Sequence, residues 1–313
     1  MTKNIDVIVL NSHGVGQFCN IKRLPFLGET LRAWNWRVEE DGGKGTTVAV
    51  SLGRLGVKTA YVGKVGKDPW GDLGFKWMGD AGVDTTYMYQ SDEVATGTGL
   101  VMIDEDGNNT IVDGDSSLEK LTVEEIRAAL EDLKDAKYFI TGFAMPQHLA
   151  LTAAKMAHEM GITTVLNTSP LPHEPMGDLN YIDYIVCNEV EGRVLAEFEE
   201  GSMDYEKIAR RVREIYHCGS VAMTLGEEGC LVLHEDKVFR VPAVKVDVVG
   251  TVGAGDSFLA AFVANLVWGK SVEEAAAWAV KCSALKVTRA GTIPAFPYLH
   301  EVEAFIAKLN ENK

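Results

Sequence analysis

Gly253-Ala254-Gly255-Asp256 sets three small residues and one carboxylate just ahead of an apolar run, residues 258–268. That run is long enough for a buried helix, so the four residues are expected to form its first turn. The first N–H groups of a helix have no internal partner, and the helix dipole makes that end electropositive. Small residues let those groups close on an anion such as a phosphate. A carboxylate there would repel a phosphate, unless its task is to take a proton from a hydroxyl that attacks it. The turn then combines an anion hole, built from the backbone of Gly253, Ala254 and Gly255, with a general base, Asp256. A Gly-rich helix start capped by an aspartate has the same composition, so the surrounding motifs must decide.

Four further segments carry polar groups or glycines at element ends. Asp41-Gly42-Gly43-Lys44-Gly45 opens the first long helix; its glycines would let the backbone approach a small polar ligand, and Lys44 adds a positive charge. It is not a P-loop, because Gly45 follows the lysine and no glycine precedes it at the required spacing. Asn188-Glu189-Val190-Glu191 follows a strand and puts two polar residues on one face of a first helical turn. That placement can orient waters around Mg²⁺, although taken alone it reads more simply as a capping box. Thr224-Leu225-Gly226-Glu227-Glu228-Gly229 has the composition of a nucleotide-admitting sheet edge or of a tight hairpin. Residues 287–294 end an alanine-rich helix in a Gly/Pro loop.

Behind these segments the chain alternates strand-like runs (residues 5–10, 59–65, 138–141, 163–167, 184–187 and 221–225) with helical ones (43–55, 70–81, 123–133, 147–160 and 190–199). Such alternation implies a parallel sheet with helices on both faces and a ligand beyond the C-terminal strand ends. Residues 30–38, 96–104 and 109–113 show β-type patterning without intervening helices. They are expected to form an antiparallel patch beside the main sheet, a cover over the site. With no linker, repeat or low-complexity tract, residues 1–313 read as one domain.

At 313 residues the chain can bury a substantial core, and no run approaches a membrane span. The first residues lack the sections of a signal peptide. Five scattered cysteines without a CxxC pair suit reduced thiols in a cytoplasm rather than disulfides or zinc. The formal charge of −15 argues against nucleic acid or acidic membranes as partners. An anionic ligand must be held locally, by helix ends and single lysines. The seven histidines form no metal-ligand spacing, and no nucleophilic triad is evident.

Taken in order, the motifs resemble the ribokinase/PfkB family of carbohydrate kinases over essentially the whole chain. The resemblance rests on Pro25-x-x-Gly28-Glu29-Thr30, Gly42-Gly43-Lys44-Gly45, residues 55–63 and Gly66-Lys67-Asp68-x-x-Gly71. It continues through Asn188-x-x-Glu191, Thr224-Leu225-Gly226-x-x-Gly229, Gly253-Ala254-Gly255-Asp256 and Val287-Thr288-Arg289-x-Gly291. It implies a three-layer α/β sandwich, with a mostly parallel central sheet and a small antiparallel β lid from about residues 14–40 and 86–114. The implied reaction moves the γ-phosphate of ATP, with Mg²⁺, to a hydroxyl of a sugar or polyol. Asp256 would be the base. Asn188 and Glu191 would help place Mg²⁺ and phosphate, with Glu191 holding the metal through water. Thr224, Gly226 and Gly229 would line the nucleotide site; Gly42, Gly43, Lys44 and Asp41 would face the substrate. Family members often dimerise through the lid, which the apolar residues of 30–38 permit.

The departures lie on the sugar side. The family's sugar-binding Asn and Asp fall on Gly14 and Gly16, Thr47 replaces an Asn, and Ala144 replaces a Glu. Leaving sugar hydroxyls unpaired costs about 1–3 kcal/mol each, so ribose is not the expected substrate unless it is held differently. Asp41, Asp113 and Asp115 are candidate replacement carboxylates. Gly250 stands where the family's aspartate takes part in monovalent-cation binding, so the resemblance does not carry potassium activation over. Trp34 and Trp36 raise a second reading, a nucleoside kinase with a stacking lid, although lid packing or a sugar face explains them too. A catalytically silent binding or regulatory protein of the same fold is the alternative of another class.

Overall fold

Alternation of buried strands with amphipathic helices produces the expected sandwich in the computed structural model, which describes residues 4–311 apart from 40, 107, 115 and 200. The large sheet contains β1 (Val7–Leu10), β4 (Thr59–Gly66), β5 (Asp84–Ser91), β8 (Tyr138–Gly142), β9 (Thr163–Asn167), β10 (Tyr184–Asn188), β11 (Ser220–Thr224), β12 (Cys230–His234) and β13 (Lys237–Val241). Their order is β13-β12-β11-β10-β9-β8-β1-β4-β5. Pairing is parallel from β5 to β11, and β12 runs against both its neighbours.

Successive strand residues face opposite helix layers. On β1, Ile8 and Leu10 join the core beneath α3 (Val123–Asp132), α4 (Gln147–Glu159), α5 (Glu189–Leu195) and α6 (Tyr205–Tyr216). Val7 and Val9 face α1 (Gly43–Arg54), α2 (Pro69–Asp80), α7 (Ala254–Val267), α8 (Val272–Val287) and α9 (Leu299–Glu311). With side chains buried on both faces, β1 is continuously apolar and its neighbours are largely so. Helix α7 is apolar all round, and residues 256–266 are buried throughout; it lies between the sheet, α1 and α8.

The second sheet comprises β3 (Trp34–Glu39), β2 (Gly14–Asn20), β6 (Gly97–Ile103) and β7 (Asn109–Asp113), in that order. Its outer pairs are antiparallel, as expected, but β2 and β6 at its centre run parallel. Two boundaries differ from the sequence expectation. Within residues 30–38 only the part from Trp34 is strand. Residues 84–91 pair with β4 in the main sheet, so the second lid segment starts at Gly97. β2 contains two glycines and has little strand propensity of its own; pairing with both neighbours makes it a strand.

Asp68 joins the lid to the sandwich. It caps α2 by accepting from the N–H groups of Trp70 (3.0 Å) and Gly71 (2.9 Å), and its other oxygen accepts from Thr96 N at the base of β6 (2.7 Å). This gives the Gly66-Lys67-Asp68-x-x-Gly71 motif a structural role. Among the described residues the five cysteines are buried and unpaired, and no helix is long and apolar enough to cross a membrane.

Candidate active site

Three strands end and three helices begin around one cleft of about 220 Å³ at the C-terminal edge of the large sheet. It is lined by Asn167 at the end of β9, Val186, Cys187 and Asn188 from β10, Thr224 from β11, and Ser169 and Glu191. Lys44 from α1 and residues 251 and 253–256 at the start of α7 complete it. A larger hollow of about 580 Å³, beside Glu131, Lys134, Asp135 and Met160, lies away from the strand ends and brings together three surface charges and a methionine.

Helix α7 begins as its sequence predicts. Gly253 is the N-cap with φ +79°, a left-handed conformation that strains residues carrying a Cβ. A Cβ at Gly255 would meet no heavy atom within 4 Å, so the turn is open on that side. One detail differs: Ala254 N donates to Thr251 O at 3.0 Å. The first-turn donors of α7 outside this turn bond are those of Gly255 and Asp256, because Ser257 N already bonds Gly253 O at 2.9 Å.

The Asp256 side chain is 5% exposed, against 35% for Lys44. Its Oδ1 lies 3.3 Å from Lys44 Nζ, and its Oδ2 lies 2.9 Å from Thr47 Oγ1. That hydroxyl is also 2.9 Å from Lys44 O and has one proton to donate between them. The carboxylate is thus held by two residues from α1, which its sequence neighbours could not have revealed.

Gly42 and Gly43 serve the backbone around α1. Gly42 is the helix N-cap with φ +73°, and a Cβ there would stand 2.7 Å from Ile293 Cδ1. Gly45 lies against the end of β1, where a Cβ would be 2.7 Å from Ser12 O; its N–H donates to that carbonyl at 2.8 Å. This close approach aims Lys44 and Thr47 at α7. Asp41 Oδ1 accepts from Gly16 N (2.9 Å) and Gly42 N (2.8 Å). Its Oδ2 fills the space beside Gly16, 2.5 Å from where a Cβ would stand. Asp115 and the side chain of Asp113 lie outside the described residues.

Asn188 and Glu191 form a full capping box: Asn188 Oδ1 accepts from Glu191 N (2.8 Å), and Glu191 Oε2 accepts from Asn188 N (2.9 Å). Both still line the cleft. Burial pushes the Glu191 carboxyl above its usual range, against the opposing pull of the Asn188 N–H, the Ser169 hydroxyl and the Lys44 charge. Burial also raises the Cys187 thiol, which leaves it un-ionised and suited to packing. Thr224 lines the cleft, whereas Gly226 and Gly229 belong to the turn that follows it. Gly229, at φ +99°, is required because a Cβ would overlap Val241 O.

Among the described residues no group of three or more His, Cys, Asp or Glu could cage a metal. The cleft's oxygen donors suit Mg²⁺, which keeps several waters and binds through one or two carboxylates plus substrate phosphates. Asn167, Ser169 and Thr251 were not expected at the site. The signal for Asn167 was available: it ends a buried strand on the ligand edge.

Residues 32–298 match the pfkB family of carbohydrate kinases. The chain belongs to this family. It is an ATP-dependent carbohydrate kinase, a phosphotransferase with an alcohol group as acceptor. The kinase is 29% identical to a Staphylococcus aureus ribokinase over 297 residues, covering 95% of this chain and 98% of the relative. It is also 29% identical to a Salmonella typhi deoxyribokinase over 310 residues, 98% of this chain and all of the relative. Among solved structures, Arabidopsis thaliana ribokinase complexed with ribose and ATP superposes with a TM-score of 0.87 at 26% identity, covering 97% of this chain and 99% of that one. The sandwich and its small sheet are thus the ribokinase architecture.

Proposed function

We propose that Asp256 is the general base of this kinase and that the first turn of α7 is its anion hole. The observation that carries the reading is the buried Asp256 carboxylate, set at the open N-terminus of α7 and flanked by Lys44 and Thr47 in the cleft at the strand ends. The acceptor hydroxyl gives its proton to Asp256 as its oxygen bonds to the γ-phosphorus of ATP. The bond from that phosphorus to the bridging oxygen breaks, and ADP leaves. Charge building on the transferring group meets the dipole and free N–H groups of α7 and the Lys44 ammonium. Asn188 and Thr224 line the path of the nucleotide, with Gly226 and Gly229 shaping its outer edge. Magnesium bound with the nucleotide would screen the phosphate charges, with Glu191 reached through water.

On the acceptor side, Asp41 supplies the carboxylate that position 16 does not carry. Its side chain fills the volume that a side chain on Gly16 would have used. The acceptor is therefore a sugar or polyol presented to Asp41, Lys44 and Asp256. ADP release with ATP, Mg²⁺ and a panel of pentoses, deoxypentoses, hexoses, polyols and nucleosides tests this. Turnover is expected on a sugar or polyol; preference for nucleosides, or turnover on none of the panel, overturns it. In the same assay Asp41→Asn keeps an oxygen for the Gly16 and Gly42 N–H groups. It should raise KM for the sugar roughly 10- to 100-fold, the loss of a charged hydrogen bond worth about 1.5–3 kcal/mol, while KM for ATP stays unchanged.

Trp34, Trp36 and Val38 of β3 are 47%, 59% and 41% exposed, with Trp36 and Val38 on one face and Trp34 set apart from them by a β-bulge. Such apolar exposure supports a homodimer through the lid. Sedimentation should show a two-chain species that Trp36→Glu dissociates, and a monomeric wild type would end the proposal.

A further inference from the structure

Helix α8 carries a lysine on its buried face. Lys286 follows Ala275, Ala279 and Cys282 at helical spacing, and like them it is fully buried. Its ammonium lies in a cradle of backbone carbonyls: Gly291 O at 3.0 Å, Gly250 O at 3.5 Å, and Val252 O in close contact. Three acceptors match the three N–H groups of an ammonium, whereas a neutral amine has two to offer. A buried charge without partners would cost far more than the fold could supply. The cradle also sits at the C-terminal end of α8, where the helix dipole favours a cation.

The cradle stands directly behind the candidate anion hole. Gly250 and Val252 belong to the loop that leads into Gly253, and Gly291 to the loop after α8. The first loop is tied to the end of α8 by Val249 N and Gly250 N, which donate to Val287 O (2.8 and 3.1 Å), and α8 to the start of α7 by Ser283 Oγ, which donates to Ala254 O (2.9 Å). A monovalent metal ion here would need these same oxygens. They already surround Lys286, and Gly250 has no side chain to add a ligand. The residues present do not fit such an ion.

We propose that the Lys286 ammonium is a built-in monovalent cation, which orders the 250–253 loop behind the α7 turn and makes this kinase independent of added potassium. The consequence for turnover rests on the phosphoryl-transfer reading; the occupancy of the cradle does not. Lys286 acts through the loop and is a positioning residue. Burial lowers its basicity, while the Asp256 carboxylate nearby works in the opposite direction.

The test compares potassium, ammonium and tetramethylammonium chlorides at equal ionic strength, reading both melting temperature and turnover. Wild type should be indifferent to the choice of cation in both. Lys286→Ala, which empties the cradle, should melt lower and lose about 10²-fold in kcat in tetramethylammonium, the cost of a misplaced catalytic turn. Potassium or ammonium should restore both readouts. Lys286→Met keeps the volume but not the charge, and no cation should restore it, whereas a purely structural lysine would predict no rescue of either variant. Should the alanine variant not fold in tetramethylammonium, recovery of folded protein on adding potassium supports the proposal and no recovery overturns it. Several-fold stabilisation or activation of wild type by potassium also overturns it. The melting data decide the matter even if no acceptor is turned over.

Discussion

Asp256→Asn should lower kcat by roughly 10²–10⁴-fold, the range a positioned general base supplies, with nucleotide affinity retained. Asparagine preserves the shape of the side chain and can still accept from Thr47 through its oxygen. What it loses is the capacity to take a proton. Its neutral amide no longer attracts Lys44, 3.3 Å from the carboxylate in the native enzyme. Neither change touches Asn188 and Thr224, the cleft residues proposed to meet the nucleotide. Calorimetry with ATP separates affinity from the rate of ADP release. A variant that turns over at a rate near wild type rules out Asp256 as the base.

Gly255→Ala should reduce kcat by about 10²-fold, because a methyl group would stand between the first-turn N–H groups of α7 and the transferring phosphoryl group. Its diagnostic value lies in what should not change. A Cβ at 255 meets no heavy atom beyond its own helical turn within 4 Å, and alanine is the better helix former by about 1 kcal/mol. The melting temperature should hold or rise while activity falls. Gly253→Ala is the contrasting control. There the backbone has φ +79°, and a Cβ would lie 3.1 Å from both Phe296 Cζ and Thr292 Cγ2. Strain of about 1–2 kcal/mol should lower stability along with activity. If Gly255→Ala keeps full turnover, the phosphoryl group does not approach this turn.

The two helix starts show where sequence reasoning succeeds. The N-caps Gly253 and Gly42, the capping box of Asn188 with Glu191, and the strands from β8 to β11 follow from residue spacing over one or two turns. Local rules suffice there because the partners are close in sequence. The lid shows the limit. Its outer hairpin-like pairs were foreseeable, but the parallel pairing of β2 with β6 joins residues some eighty positions apart. Strand 84–91 joined the main sheet because β4 offered it a free edge, not because its own residues demanded it.

The sequence by itself determined the reaction class, through its membership of the pfkB family, and pointed to a carboxylate behind three small residues at a helix start. Its resemblance to that family also leads to the expectation of polar side chains at positions 16 and 250, where glycines stand. Only the tertiary structure decided what fills those gaps. The Asp41 carboxylate occupies the volume beside Gly16, and the Lys286 ammonium fills the carbonyl cradle behind Gly250. Asp41 and Gly16 lie 25 residues apart and Lys286 and Gly250 lie 36 apart. A missing group and its replacement need share only a place in space, and chain spacing carries no record of that.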